Sequence, residues 1–447
     1  MADLEELTAK MLEAAQQAGA EAADAIVIKG DSLSIEVAGG ALEHAERAEG
    51  IDLGLRVLLG QRSAVVSVSD ASDATIAVMA ERAVAMAKAA PEDPFVGLAE
   101  AGQLAKTWDV DALELVDPAE PATPEALKDM ALAAEAAAIA VQGVSKVDSA
   151  GASASASRIH LATSNGFSGG YGRTSTGLYC TAISGEGLGM ERDYKGDSRV
   201  YAADMMSADE IGSIAGERAV ALRGASQPPT GAFPVLFDER VSSTLIGHLI
   251  AAINGRAVAR GASWLKEAMG EQVLPEGMDL VEDPFRKRVG GSKPFDGEGL
   301  ATTRRAWVEN GVLKGWVLDL ASGRQLGMES TGNAARGAGG APSPSVGNLT
   351  LTAGESSRDD LIKDMGTGLI ITSLIGSSVN PNTGEYSRGA SGFWVENGEI
   401  IRPVNECTVA GNLRDMLGGM VAANDGQAHL SRVVPSLLVE GLTIAGS

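Results

Sequence analysis

Trp307-Val308-Glu309-Asn310-Gly311-Val312-Leu313 and Trp394-Val395-Glu396-Asn397-Gly398-Glu399-Ile400 decide the fold of the C-terminal half. In both, apolar residues of high strand propensity flank Asn-Gly, the pair that most readily takes positive φ at both central positions of a type I′ turn. Two β-hairpins are expected, and their likeness reads either as convergent hairpin chemistry or as an internal duplication. From about Trp307 onward short strands and glycine turns dominate. Residues 229–447 are therefore expected to form a strand-rich, mostly antiparallel C-terminal domain.

Upstream of the first hairpin, residues 235–237 read as a strand and residues 242–258 as a helix. Residues 224–231, with Pro228-Pro229, form the clearest linker in the chain. Before it, residues 116–228 make a central α+β module. Three prolines (Pro118, Pro121 and Pro124) mark its start, and Pro124 opens a helix over residues 124–140, where proline in the first turn is tolerated. Residues 157–163 and 179–184 are expected to be partner strands around the turn Ser164-Asn165-Gly166, with a further helix over residues 207–222. Residues 1–115 form the first α+β module. An amphipathic helix opens it, with Leu4, Leu7, Met11 and Ala15 at helical spacing. Short strands over residues 25–29 and 32–37 are expected to join at Gly30-Asp31, and strands 53–59 and 64–68 at Gly60-Gln61. A helix over residues 71–89 follows. The fold class is α+β throughout: helix/strand modules, then the strand-rich domain.

Composition limits the function. A chain of 447 residues that is 45% hydrophobic has ample material for several cores. Aromatics are only 4%, so those cores rest on small side chains and close backbone approach. The net charge of -23 repels phosphate backbones, and no basic run offsets it. Nucleic acid is excluded as a partner on this ground. The acidic N-terminus lacks the basic and apolar regions of a signal peptide, and no apolar run is long enough for a bilayer. A cytoplasmic protein without a membrane partner is expected. Cys180 and Cys407 read as buried free thiols of a reducing compartment.

The four histidines are His44, His160, His248 and His429, and the residues that follow them are Ala45, Leu161, Leu249 and Leu430. None starts an H-E-x-x-H motif, which sets two histidines one helical turn apart with a carboxylate between them to activate water. Each histidine reads as a solitary surface or hydrogen-bonded side chain. Ser391, in Gly389-Ala390-Ser391-Gly392, lacks the strand–turn–helix context of a nucleophile elbow. Gly366-Thr367-Gly368 lacks the third glycine of a dinucleotide fingerprint. Residues 332–347 (GNAARGAGGAPSPSVG) read as a mobile segment, either a cover for a binding groove or a plain linker.

Several longer strings occur in a fixed order: Gly323-Arg324-Gln325-Leu326-Gly327 into Ser330-Thr331-Gly332-Asn333-Ala334, then Gly366-Thr367-Gly368-Leu369-Ile370-Ile371-Thr372. Asn380-Pro381-Asn382-Thr383-Gly384-Glu385-Tyr386-Ser387-Arg388-Gly389-Ala390 follows, then Gly392-Phe393-Trp394 and Thr408-Val409-Ala410-Gly411-Asn412-Leu413. Together with Gly261-Ala262-Ser263-Trp264-Leu265 they closely resemble the TldE (PmbA) branch of the TldD/PmbA family, over essentially the whole chain. The resemblance implies a part in TldD–TldE pairs, which degrade unfolded peptides and help mature peptide antibiotics. An older family label, modulator of DNA gyrase, sits badly with the acidic charge if it means direct contact with DNA. In the TldD branch the metal is held by an H-E-x-x-x-H helix and a cysteine near the C-terminus. Anchored on Arg260-Gly261-Ala262-Ser263, those helix positions are Ile246, Gly247 and Ala251 here, and no cysteine follows Cys407. The implied chain binds no cofactor of its own and has no catalytic residue; zinc belongs to a TldD-like paralogue.

The leading expectation is a metal-free partner subunit that helps form the substrate chamber. Peptide would add to a sheet edge by main-chain hydrogen bonds, with contacts from Asn333, Tyr386, Ser387 and Arg388. Arg388 would hold a peptide carboxylate or carbonyl, or else pair with Glu385 or Glu396. A homodimer is the default for the isolated chain. A second reading is a non-enzymatic homodimeric regulator or peptide binder, and a third is a hydrolase using Ser391 or Cys407.

Overall fold

Ala23, Ala25 and Val27 point to one side of an extended segment and Ile26 and Ile28 to the other, so this strand is covered on both faces. The computed structural model describes residues 2–446. Its first sheet contains β1 (Ala22–Ala38), β2 (Ala41–Leu59), β3 (Arg62–Val68), β4 (Val144–Thr163), β5 (Ser168–Ser184) and β6 (Glu191–Arg199). They pair antiparallel in the order β3-β2-β1-β4-β5-β6. The sheet therefore runs unbroken across the segments on either side of residue 116.

The paired short strands expected within residues 25–37 are one 17-residue strand. Gly30-Asp31 lies in mid-strand, opposite Gly50 and Glu49 on one side and Ser157 and Ala156 on the other. Hydrogen bonds to two neighbours outweigh the local turn preference. The turn falls instead at Gly39-Gly40, where φ is 61° and 75°. The strand after Ser164-Asn165-Gly166 likewise begins at Ser168, and residues 179–184 pair with the start of β4 rather than with residues 157–163. The hairpin at Gly60-Gln61 is as expected.

Four helices cover one face: α1 (Ala2–Gln17) and α2 (Asp73–Ala89) over one end, α3 (Pro124–Ala140) and α4 (Ala208–Ala221) over the other. Thr123 caps α3 on the Ala126 amide with Pro124 behind it, and Ser207 and Glu210 form a capping box on α4. A Cβ on Gly212 would lie 2.1 Å from the Ala134 carbonyl oxygen, so α3 and α4 touch backbone to backbone. This is the small-residue packing that the poverty of aromatics implied.

The C-terminal strands are β7 (Gly231–Phe237), β8 (Leu280–Glu282), β9 (Arg305–Glu309), β10 (Val312–Leu313), β11 (Ala334–Ala335), β12 (Ser343–Pro344), β13 (Leu349–Leu351), β14 (Gly368–Val379), β15 (Glu385–Glu396), β16 (Glu399–Asn412), β17 (Val421–Ala422), β18 (Arg432–Val433) and β19 (Leu437–Ala445). The main sheet has the order β16-β15-β14-β7-β19-β17, and β16 also pairs with β19, so the sheet closes on itself. A smaller sheet has the order β10-β9-β8-β13-β18. Both expected hairpins are type I′: φ is 48° at Asn310 and 77° at Gly311, 54° at Asn397 and 77° at Gly398. The helix expected over residues 242–258 is two, α5 (Glu239–Ala252) and α6 (Gly255–Ala259), because Asn254 caps the second on the Arg256 amide.

Residues 332–347 are anchored, contrary to expectation. β11 and β12 pair, and the Arg336 side chain is fully buried against Asp24 of β1. Asp24 also accepts Arg56 Nε at 2.7 Å. Ala338 is buried on β2, where a Cβ on Gly54 would lie 2.3 Å from the Ala338 carbonyl oxygen.

Candidate peptide-binding track on the closed sheet

α5 begins at Asp238, whose carboxylate accepts the Arg240 amide and, at 2.9 Å, Arg358 Nε. Its apolar stripe of Leu245, Ile246 and Leu249 packs into the closed sheet together with Ile253 just beyond it. This places His248 beside β15. The His248 ring meets that of Tyr386 edge to face with centroids 5.8 Å apart. Neither His248 Nε2 nor the Tyr386 hydroxyl has a hydrogen-bond partner, although both atoms are buried.

The titration states follow from the surroundings. Burial pushes the Tyr386 phenol up to about 12. Burial, then the charge of Arg388, holds the His248 imidazole below its ordinary range. At neutral pH the pair is a neutral imidazole beside a neutral phenol, each with unused hydrogen-bonding capacity. Arg388 Nε donates to the Gly376 carbonyl at 2.7 Å, and no ion pair to Glu385 or Glu396 forms. Glu396 instead accepts Trp394 Nε1 at 3.0 Å.

Side chains alternate along β15, so Tyr386 and Arg388 share the face toward α5 while Ser387, Gly389 and Ser391 share the other. Tyr386 and Ser387, with Val379, Asn380 and Glu385, line an open groove at the end of the β14–β15 hairpin. Further along the same hairpin, Ile375, Gly389 and Ser391 line a cleft of about 760 Å³ against the first sheet. Its base is fixed by Arg240 of α5, which makes two hydrogen bonds to the buried Asp193 carboxylate of β6. Groove and cleft both lie along the β14–β15 hairpin, one beyond the other.

Two expectations change here. Asn333 is absent from the track: its amide donates to Glu282 Oε2 at 2.8 Å inside the smaller sheet, and only 4% of its surface is exposed. Edge addition at β15 is also excluded, because β14 and β16 occupy both of its sides. A chain lying here would be held by side chains on a sheet face. The contact of His248 with Tyr386 had no signal in the sequence, since only the packing of α5 on β15 creates it.

Among the described residues, neither cysteine nor Ser391 is set up as a nucleophile. Cys407 donates to the Ala390 carbonyl, and burial pushes its thiol up to about 11. Cys180 is buried too, pushed up to about 12. Ser391 sits in mid-strand opposite Ser373. The remaining histidines are occupied or exposed. His160 Nδ1 lies 2.9 Å from Thr8 Oγ1, His429 lies 3.6 Å from Asp197, and His44 is a surface residue.

Family models match residues 23–87 (PmbA/TldA metallopeptidase domain 1), 117–223 (its central domain) and 230–446 (its C-terminal domain). The chain belongs to the PmbA/TldD family. It is 34% identical to metalloprotease PmbA of Escherichia coli, covering 99% of this chain and 96% of that one. It is 35% identical to the metalloprotease PmbA homologue of Haemophilus influenzae, covering 100% and 96%. Among solved PmbA/TldD-like structures, a putative modulator of DNA gyrase from Bacteroides thetaiotaomicron superposes with a TM-score of 0.90 at 25% identity, covering 100% of both chains. TldE of Thermococcus kodakarensis superposes with a TM-score of 0.83 at 20% identity over 98% of this chain and 100% of that one, a likeness of fold.

The metalloprotease name carried by PmbA relatives requires a test of the donor set. α5 carries His248 alone; Thr244, Leu245, Ala251 and Ala252, one turn away on either side, offer no imidazole or carboxylate. Among the described residues, no group of three or more His, Cys, Asp and Glu side chains is placed to hold a metal ion. The residues present do not fit a PmbA/TldD zinc centre.

Proposed function

We propose that this chain is the non-cleaving subunit of a TldD/TldE-type peptidase, paired with a zinc-bearing TldD-like paralogue whose substrate chamber it helps to form. The donor set of α5 carries the reading. Ile246, at the first position of the resembling metal motif, is buried in the core, and Gly247 and Ala251 at the other two have no ligating atom. What the chain supplies is a surface. Tyr386 and Ser387 line the groove and Ser391 the cleft along the β14–β15 hairpin, where an extended chain could lie. Such a surface suits unfolded peptide or a peptide-antibiotic precursor, whose backbone amides are free to be bound. The pair works in the cytoplasm; among the described residues no helix is long and apolar enough to cross a membrane.

The test is cleavage of an unfolded peptide by this chain, by its H-E-x-x-x-H paralogue and by the mixture, each with and without a chelator. Activity confined to the mixture and abolished by the chelator is expected. Cleavage by this chain alone overturns the reading, and full activity of the paralogue alone makes this chain a regulator or binder instead.

A further inference from the structure

A second cavity, of about 260 Å³, lies between the first sheet and the C-terminal domain, remote from the β15 track. Its walls differ in chemistry. Ile26, Ile159 and Leu161 of the first sheet, with Phe295 opposite, make an apolar side. Lys293 and Arg173 make a cationic one. The Lys293 ammonium has no hydrogen bond or ion pair among the described residues. Arg173 binds only carbonyls, those of Gly290 and Ser292 (the latter at 2.7 Å), and the Tyr171 hydroxyl; its Nε is buried and unpartnered. Behind this wall the side chain of Arg336 is wholly buried with Nε and one terminal nitrogen unpartnered, and it shares Asp24 with Arg56.

The carboxylates nearby do not cancel this charge. Asp296 also lines the cavity, but its oxygens accept the backbone amides of Glu298, Leu300 and Ala334. Glu282 accepts Trp307 Nε1, Asn333 Nδ2 and the Gly347 amide. Of the charged side chains that line the cavity itself, Arg173, Lys293 and Arg336 are cations and Asp296 is the one carboxylate; Arg336 is paired with Asp24, while Lys293 and Arg173 have no carboxylate partner among the described residues. Burying an uncompensated charge is costly, and an anion that brings its own acceptors relieves that cost. The apolar wall selects among anions, because a phosphate or sulfate has nothing to place against it.

We propose that this cavity binds a carboxylate carrying an apolar group, with the carboxylate on Lys293 and Arg173 and the apolar group against Ile26, Ile159 and Leu161. Both a free acid and the C-terminal residue of a peptide have this chemistry. The site does not depend on pairing with a paralogue, so it is tested on the chain alone.

Titration calorimetry would use four probes: N-acetylleucine, its amide, a tetrapeptide ending in leucine, and the same peptide amidated. The companion variant is Lys293→Met, which keeps the length of the side chain and removes no hydrogen bond; its unfolding midpoint without ligand checks the fold. Saturable binding of an acid that weakens roughly tenfold or more on amidation, and again in Lys293→Met, is the expected result. Tighter binding of the tetrapeptide than of N-acetylleucine identifies a peptide end as the ligand, and the reverse a free acid. Equal binding of acid and amide, unchanged binding in the variant, or no binding of any probe overturns the proposal.

Discussion

At the scale of single residues, burial decides what each polar group does. Glu298 is buried beside Asp296, with Arg56 and Asp319 near, and loss of water pushes its carboxyl up to about 8 from an ordinary 4.5. The folded protein therefore keeps a proton that the unfolded chain releases, and stability falls as pH rises from about 5 to about 8. Glu298→Gln is expected to flatten that dependence by on the order of 3 kcal/mol. Urea unfolding of both proteins at the two ends of the window checks it, and parallel pH dependences would refute it. Little at this scale was legible beforehand. Tyr386, Ser387 and Arg388 were singled out from a resembling string, and the structure sets them on the two faces of one strand. Asn333 came from the same kind of string and is consumed by Glu282. Whether a polar side chain is free or engaged depends on partners far away in the chain.

At the scale of elements, signals confined to a few residues were readable. The Asn-Gly hairpins and the proline that opens α3 stand where the sequence put them. Strand length and pairing were not, because both depend on neighbours; β1 runs through a glycine that local preference reads as a turn. The positive-φ glycines separate two costs. Gly60, with φ 56°, has nothing within 4 Å of an added Cβ, so Gly60→Ala is expected to cost only conformational strain, about 1 kcal/mol. Gly311, with φ 77°, would place that Cβ 2.3 Å from the Leu274 carbonyl oxygen. Gly311→Ala must also displace the neighbouring backbone, at on the order of 3 kcal/mol in all. Denaturant titration of the two variants tests this, and equal losses would show that the hairpin at Gly311 yields.

At the scale of the molecule, the first sheet and the C-terminal domain are joined by buried polar links, Arg336 to Asp24 and Arg240 to Asp193, and by the seating of Ala338 on Gly54. Gly54→Ala should lift residues 336–340 from β2 and open the bond after Arg336 to trypsin. Gly50→Ala, on the same strand with free space around it, is the control and should stay resistant. Equal resistance of both variants in a timed digest would mean that the segment is held elsewhere. Sequence gave no hint of this joint, because its two sides are more than three hundred positions apart, as the numbers of Asp24 and Arg336 show.

The continuity of the first sheet bears on how the chain can be cut. Family models treat residues 23–87 and 117–223 as separate stretches. Yet β1 is bonded to β4 from Asp24 to Val37, along most of its length. A fragment ending in the proline-rich stretch between them would keep β1 paired with β2 but leave its other edge bare, a template for clumping. The two stretches are therefore expected to fold as one piece, so a graft between relatives has to carry both.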